Sequence, residues 1–393
     1  MIQNEQLADS ALTPMATAAA LPDFDRDVYC ILGLPFDRVS LAEASRKMRT
    51  ASTTQQRCFL STPNLNFAIA CMSDAAFRNS VIQSDLSIAD GMPLIWIARA
   101  IGLPVRERVA GSSVFQTLRE RQEKTDSAAV DGPMKVYFFG GPPGVAEAAS
   151  LKLNAIPSAM RCVGFDSPGF GSIEEMSDAA TIARINASDA DFLVVALGAK
   201  KGQAWIQYNL ARLRAPLVSH LGAVVNFVAG TVSRAPVWAQ KTGLEWLWRI
   251  KEEPKLWRRY WDDGVALLQL MVTRVIPCVL ASRRQAPPAS DFTPAGIIGR
   301  HQDGAYVLAF PAALGEANSA PLRVALRTAA LAAEPLILDC SKTHFIDSAA
   351  LASLMLLYGD SVAKGRSLKF TQVSPVLRRQ FYLHCADYLL ESR

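Results

Sequence analysis

Residues 28 to 220 alternate short apolar runs with stretches of helical period. "YCILGLPF", "RCFLSTPN", "LSIADG", "KVYFFGG", "ADFLVVALG" and "APLVSHLG" read as strands. Between them, "SLAEASRKMRTA", "NFAIACMSDAAFRNSVIQS", "MPLIWIARAIG", "GVAEAASLKLNA" and "GQAWIQYNLARL" read as helices, with apolar residues three and four apart. Ser40 followed by Glu43 is a capping box at the start of the first helix. Strands alternating with helices predict an α/β fold with a parallel sheet covered on both faces. In such sheets ligands bind beyond the carboxyl ends of the strands. Thr62, Asn64, Asp90, Gly140, Gly198 and His220 all fall at those predicted ends.

The pattern then changes. Residues 245–284 are rich in Trp and Arg, and Arg249 to Arg284 hold eight Lys/Arg against four Asp/Glu. "VALLQLMVTRVIPCVLA" is apolar but interrupted by Gln269, Arg274 and Pro277. A spanning helix needs roughly 20 apolar residues with few charges, so this segment predicts an interfacial, membrane-associating appendage better than a crossing. A terminal helix lying on its own domain explains the pattern equally well. "ASRRQAPPASDFTPAG" reads as a linker. A compact unit follows, with strands at "GAYVLAFP", "PLILDCS" and "SLKFTQV" and helices at "SAPLRVALRTAALAA", "SAALASLMLLYGDSVAKG" and "SPVLRRQFYLHCADYLL". The chain thus divides into a disordered, Ala-rich leader (1–25), a first domain (26–244), the appendage (245–284), a linker (285–299) and a small α/β domain (300–393).

Composition narrows the classes. Half of the 393 residues are hydrophobic, enough for a large core, and the net charge of +5 does not suggest a nucleic-acid binder. Seven cysteines without a C-x-x-C pair predict free thiols in a reducing compartment, and four histidines share no metal-ligand spacing. The N-terminus lacks the basic flank and apolar core of a signal peptide, which predicts a cytoplasmic protein.

Several residues carry candidate chemistry. Asp90, between Ala89 and Gly91, is placed to accept a proton from a hydroxyl, although Asp-Gly also forms turns. Gly140, Gly141 and Gly144 let backbone amides approach a phosphate before a helix N-terminus, or simply make a tight turn. Thr62, Asn64 and Asn66 can bond sugar hydroxyls or cap the next helix, and Arg108 is a candidate diphosphate partner. No G-x-G-x-x-G follows the first strand, which argues against a dinucleotide-dependent dehydrogenase.

The order T-P-N, A-D-G, E-R-V-A-G, F-G-G-x-P-G-V-A, L-G-A and then "VAGTVSRAPVWAQKTGLEWLWRIKEEPKLWRR" closely resembles the WecG/TagA/CpsF glycosyltransferases over residues 28 to 262. The resemblance implies a Rossmann-like domain and an inverting, metal-independent transfer from a UDP-sugar to a saccharide on a polyprenyl diphosphate, without a cofactor. It maps the general base to Asp90, with Thr62 and Asn64 beside it. Diphosphate-binding residues map to Arg108, Arg249, Arg258, Arg259 and Gln203. The nucleotide site maps to Gly140, Gly141, Gly144, Gly198 and Asn226. This chain departs from the family pattern in places. Gly202 stands where Gln is usual, with Gln203 one place on; Asn226 and Ser113 stand for Asp, and Leu256 for Arg.

"LILDCSKTHFIDSAALASLMLL" resembles a STAS domain. The position of the usual phospho-acceptor is Ala349, which leaves Ser348 as a regulatory candidate or a helix cap. The resemblance implies a docking or regulatory module with a protein partner. Together these patterns predict a hexosyltransferase of bacterial exopolysaccharide or cell-surface glycan assembly, bound peripherally to the inner face of the cytoplasmic membrane. The alternative is a catalytically inactive scaffold regulated through the STAS-like domain.

Overall fold

The computed structural model describes residues 21–120, 132–236, 238–239, 243–284 and 287–391. Most of the expected leader lies outside them, but its last residues do not behave as a leader. Phe24 is 1% exposed and sits in the core of the C-terminal domain.

The chain opens with a hairpin, β1 (Val28–Ile31) and β2 (Leu34–Asp37), where a single strand was expected. Leu32 and Gly33 both have positive φ, the two-residue turn that matches strand twist. Helix α1 (Leu41–Thr53) begins with the capping box of Ser40 and Glu43. After β3 (Cys58–Ser61), the expected single helix is two, α2 (Leu65–Ser73) and α3 (Ala75–Ile82), because Asp74 stops one and caps the next. Then come β4 (Leu86–Ser87), α4 (Met92–Ala100), α5 (Gly111–Arg119), β5 (Met134–Gly140), α6 (Val145–Ala155), β6 (Met160–Asp166) and α7 (Ala179–Ala187). The first domain continues through β7 (Phe192–Ala196), α8 (Ala199–Asn209), β8 (Leu217–His220) and α9 (Gly222–Ala229). The sequence pattern missed β6, α7 and α9. β6 lies at the sheet edge with only Met160 and Cys162 buried, so it lacks the continuous apolar run of a buried strand.

Strands β3 to β8 form a six-stranded sheet, β4-β3-β8-β7-β5-β6, in which every pairing is parallel. All its strands therefore end on one edge. One core, with Leu60, Phe138 and Val194, lies on one face; another, with Phe59, Phe139 and Trp205, lies on the other.

The appendage is helical. It comprises α10 (Glu245–Glu252), α11 (Trp257–Leu270), a π-helical turn at Met271–Val275 and α12 (Ile276–Arg284). The C-terminal domain begins with β9 (Ile298–Gln302), so its first strand starts inside the expected linker. There follow β10 (Ala305–Ala309), β11 (Ala313–Leu314), α13 (Ser319–Leu331), β12 (Leu336–Asp339), β13 (Phe345–Ile346), α14 (Ser348–Ala363), β14 (Leu368–Thr371) and α15 (Pro375–Leu383). Its sheet runs β14-β12-β10-β9, with only the β9–β10 pair antiparallel.

The hairpin joins the two domains. On one side Arg26 and Asp37 pair in the interior at 2.6 Å, and Asp37 also accepts the Ser87 N–H of β4 at 2.7 Å. On the other side α14 lies against β1, and the Ser348 hydroxyl donates to the Cys30 carbonyl at 3.0 Å. Tyr388 donates to the Gly33 carbonyl at 3.0 Å, and a Cβ on Gly33 would collide with the Cys385 carbonyl. Ser348 is 3% exposed, and Asp347 caps the helix instead. The candidate regulatory hydroxyl is therefore sealed under the protein's own hairpin and does not cap the helix. All seven cysteines are buried free thiols, as their spacing predicted.

Candidate active site

Three sequence motifs converge at the carboxyl edge of the sheet. The Asp90 N–H donates to the Pro63 carbonyl at 2.9 Å, and the Val109 N–H donates to the Ala89 carbonyl at 3.0 Å. The T-P-N, A-D-G and R-V-A-G segments are thus stitched side by side. Gly111 is required by the close approach: a Cβ there would collide with Leu221 and lie 3.0 Å from the Thr62 methyl. Because it has none, the first turn of α5 comes up to Asp90, and the Gly111 N–H donates to Oδ2 at 3.3 Å.

Asp90 keeps a route to solvent, its side chain being 27% exposed. Its Oδ1 lies 3.5 Å from Arg108 Nη2, and the same nitrogen donates to Glu245 at the start of α10. Burial raises the Asp90 pKa above the ordinary carboxylate value. The Arg108 charge opposes that rise and the Glu245 charge adds to it. A raised carboxylate is a stronger base once ionised. Glu245 had no assigned role in the sequence, since only folding brings the appendage back over the sheet.

Thr62 is buried with its methyl on Gly111. Asn64 caps α2, its Oδ1 accepting the Phe67 N–H at 3.0 Å, and its Cβ faces Gly91. Asn66 donates to Asp263 of α11 at 2.9 Å, which ties the appendage to the rim.

Other expected site residues sit elsewhere. Gln203 is 1% exposed, and its amide donates to the Ser61 hydroxyl at 3.0 Å. It braces the end of β3 from inside and is closed to solvent. Gly202 is glycine because a Cβ there would collide with the His220 imidazole. His220 is held neutral, with burial lowering its pKa to about 4. Asn226 lies inside α9, where its carbonyl accepts the Thr231 N–H at 3.1 Å as the helix closes. Gly140, Gly141, Gly144 and Gly198 all have positive φ at the ends of β5 and β7. Gly140 also admits the Ala196 carbonyl, which a Cβ would meet at 2.8 Å.

The basic appendage does not touch Asp90 through its arginines. The Arg249 guanidinium lies 5.8 Å from the Phe227 ring centre, Arg258 lies 5.6 Å from Trp257, and Arg259 lies 5.0 Å from Tyr260. Arg258 and Arg259 are exposed and make no ion pair among the described residues. Trp257, Trp261, Val265, Leu268, Val272, Ile276 and Leu280 form one exposed apolar stripe along α11 and α12. The opposite face is held by the protein. Arg274 donates to the Tyr382 carbonyl, lies 3.2 Å from that ring centre and is 3.8 Å from Asp387.

Residues 29–277 match the model of the glycosyl transferase WecG/TagA/CpsF family, and residues 299–391 match a STAS domain model. Relatives include N-acetylglucosaminyldiphosphoundecaprenol N-acetyl-β-D-mannosaminyltransferases. That of Bacillus spizizenii is 23% identical over 51% of this chain and 74% of its own length. That of Bacillus subtilis is 26% identical over 51% and 73%, and that of Staphylococcus aureus is 22% identical over 58% and 85%. With the parallel sheet and the converging motifs in place, the chain belongs to the WecG/TagA/CpsF family of glycosyl transferases and carries a STAS domain at its C-terminus.

Proposed function

We propose that this glycosyl transferase moves a sugar from a UDP-sugar to a saccharide on a polyprenyl diphosphate, with inversion and with Asp90 as the general base. The observation that carries this is the Asp90–Arg108–Glu245 cluster at the open edge of the sheet. The names of the relatives supply the acceptor class, because their own acceptor is an undecaprenol-diphosphate sugar.

The acceptor hydroxyl attacks the anomeric carbon as its proton passes to the Asp90 carboxylate. The new glycosidic bond forms while the bond from that carbon to the phosphate oxygen breaks, and UDP leaves with the electron pair. Arg108 and the Gly111 amide hold Asp90 in place. The amides at the Gly140–Gly144 turn and the appendage arginines supply positive potential for the two diphosphates.

A lipid-linked acceptor suits the apolar stripe. Pro254–Ser282 is a 29-residue helical run, long and apolar enough to cross a membrane by length and composition. At about 1.5 Å per residue it exceeds the roughly 30 Å of hydrocarbon in a bilayer. Its inward face is nevertheless tied to Asn66, Tyr382 and Asp387, so crossing would break those contacts. We therefore place it along the inner surface of the cytoplasmic membrane, with the Trp stripe at headgroup level. Replacing Trp261 and Leu268 by Glu is expected to abolish co-sedimentation with anionic vesicles and to cut turnover on vesicle-borne acceptor. Unchanged sedimentation would contradict a surface-bound appendage.

The reaction is tested by product analysis with a panel of UDP-sugars and a short-chain polyprenyl-diphosphate glycan. The proposal expects one lipid-linked product of inverted anomeric configuration. Absence of product, together with absence of UDP binding, would favour the inactive scaffold.

A further inference from the structure

The first turn of α5 holds a second guanidinium, and its partners are both neutral. Arg234 Nη2 donates to the Ser112 hydroxyl at 3.1 Å and the Ser113 hydroxyl at 2.9 Å. Among the described residues no Asp or Glu lies within ion-pair distance of it. Arg108, by contrast, is shared between two carboxylates. The two hydroxyls occupy one nitrogen of the guanidinium and bring no negative charge to cancel its own.

The location gives that charge a use. Ser112 and Ser113 follow Gly111, whose N–H bonds the Asp90 carboxylate. The guanidinium is therefore fixed on the same helical turn that positions the base, and it is only half-buried. A planar, part-exposed fork with spare N–H groups suits a phosphate oxygen pair.

We propose that Arg234 binds a diphosphate group in this cleft, with Ser112 and Ser113 holding the guanidinium in position. The inference rests on the proposed reaction, in which both the nucleoside diphosphate donor and the polyprenyl-diphosphate acceptor carry that group.

Calorimetric titration of the full chain distinguishes the two sources. UDP and a short-chain polyprenyl-diphosphate sugar are each titrated into wild type, Arg234→Ala, Arg234→Lys and Ser113→Asp. Loss of a charge-assisted contact is expected to weaken one ligand about tenfold in Arg234→Ala. Ser113→Asp should weaken the same ligand, because a carboxylate would then neutralise the guanidinium, while Arg234→Lys should retain part of the affinity. A loss confined to UDP assigns the donor, and a loss confined to the lipid analogue assigns the acceptor. Unfolding midpoints show whether each variant folds, and Ser113→Asp keeps the test open if Arg234→Ala does not. Arg234→Ala and Ser113→Asp both binding both ligands within twofold of wild type would overturn the role of Arg234 alone. Wild type binding neither ligand would overturn the proposed reaction and this inference with it.

Discussion

Two carboxylates in this molecule face the first turn of a helix, and they have opposite fates. Asp90 accepts one N–H from α5 and keeps an oxygen toward Arg108 and solvent. Asp347 accepts the Ala350 N–H at 2.9 Å with one oxygen and the Glu316 N–H at 2.7 Å with the other. Burial raises the pKa of both. The difference lies in what covers them. A glycine opens the space beside Asp90, whereas β1 closes over the start of α14 and takes the Ser348 hydroxyl. Acid-plus-small-residue motifs look alike in one dimension; neighbouring elements decide which stays open to solvent and which becomes a cap.

The closed member of the pair is the easier to break. Ser348→Glu would force a charge into the buried position under the hairpin, and should cost on the order of 3 kcal/mol or more. Thermal unfolding should show a large drop in midpoint. A midpoint equal to wild type would mean that the hairpin lifts off easily and that Ser348 is reachable after all. Ser348→Ala, which loses a single hydrogen bond, should cost about 1 kcal/mol.

The open member is sharpened by its two neighbours. Glu245 raises the Asp90 pKa, so Glu245→Gln should lower it and move the acid limb of kcat/KM to lower pH. Arg108 lowers it, so Arg108→Gln should move the limb to higher pH. The base acts only when ionised, and the rate therefore falls as pH drops through its pKa. Limbs that move together, or not at all, would contradict the cluster as drawn. These are the smallest effects, read as displacements of a curve.

Much of the first domain was legible from periodicity, because its central strands are buried on both faces and read as apolar runs. Edge strand β6 was not, since only Met160 and Cys162 of it are buried. Asp90 and the glycine turns were visible because they end strands. Glu245 and the Arg234–Ser113 contact were not, because each joins segments more than 100 residues apart. Gln203 was misplaced for a local reason. Successive helical residues point about 100° apart, and with Gly202 yielding its space to His220, Gln203 turns into the sheet. The C-terminal domain's long helices and strands β10, β12 and β14 were legible, but strands β9, β11 and β13 and its partner were not. The face carrying Ser348 is already taken by the hairpin of the same chain.

The central claim is that Asp90 takes the proton, and it is tested most directly by single-turnover transfer and UDP binding on one preparation of Asp90→Asn. Transfer should fall by roughly 10²–10⁴-fold, the range expected for losing a general base. UDP affinity should stay within about threefold of wild type, because the amide is nearly isosteric and the diphosphate contacts remain. Transfer at the wild-type rate would contradict the account.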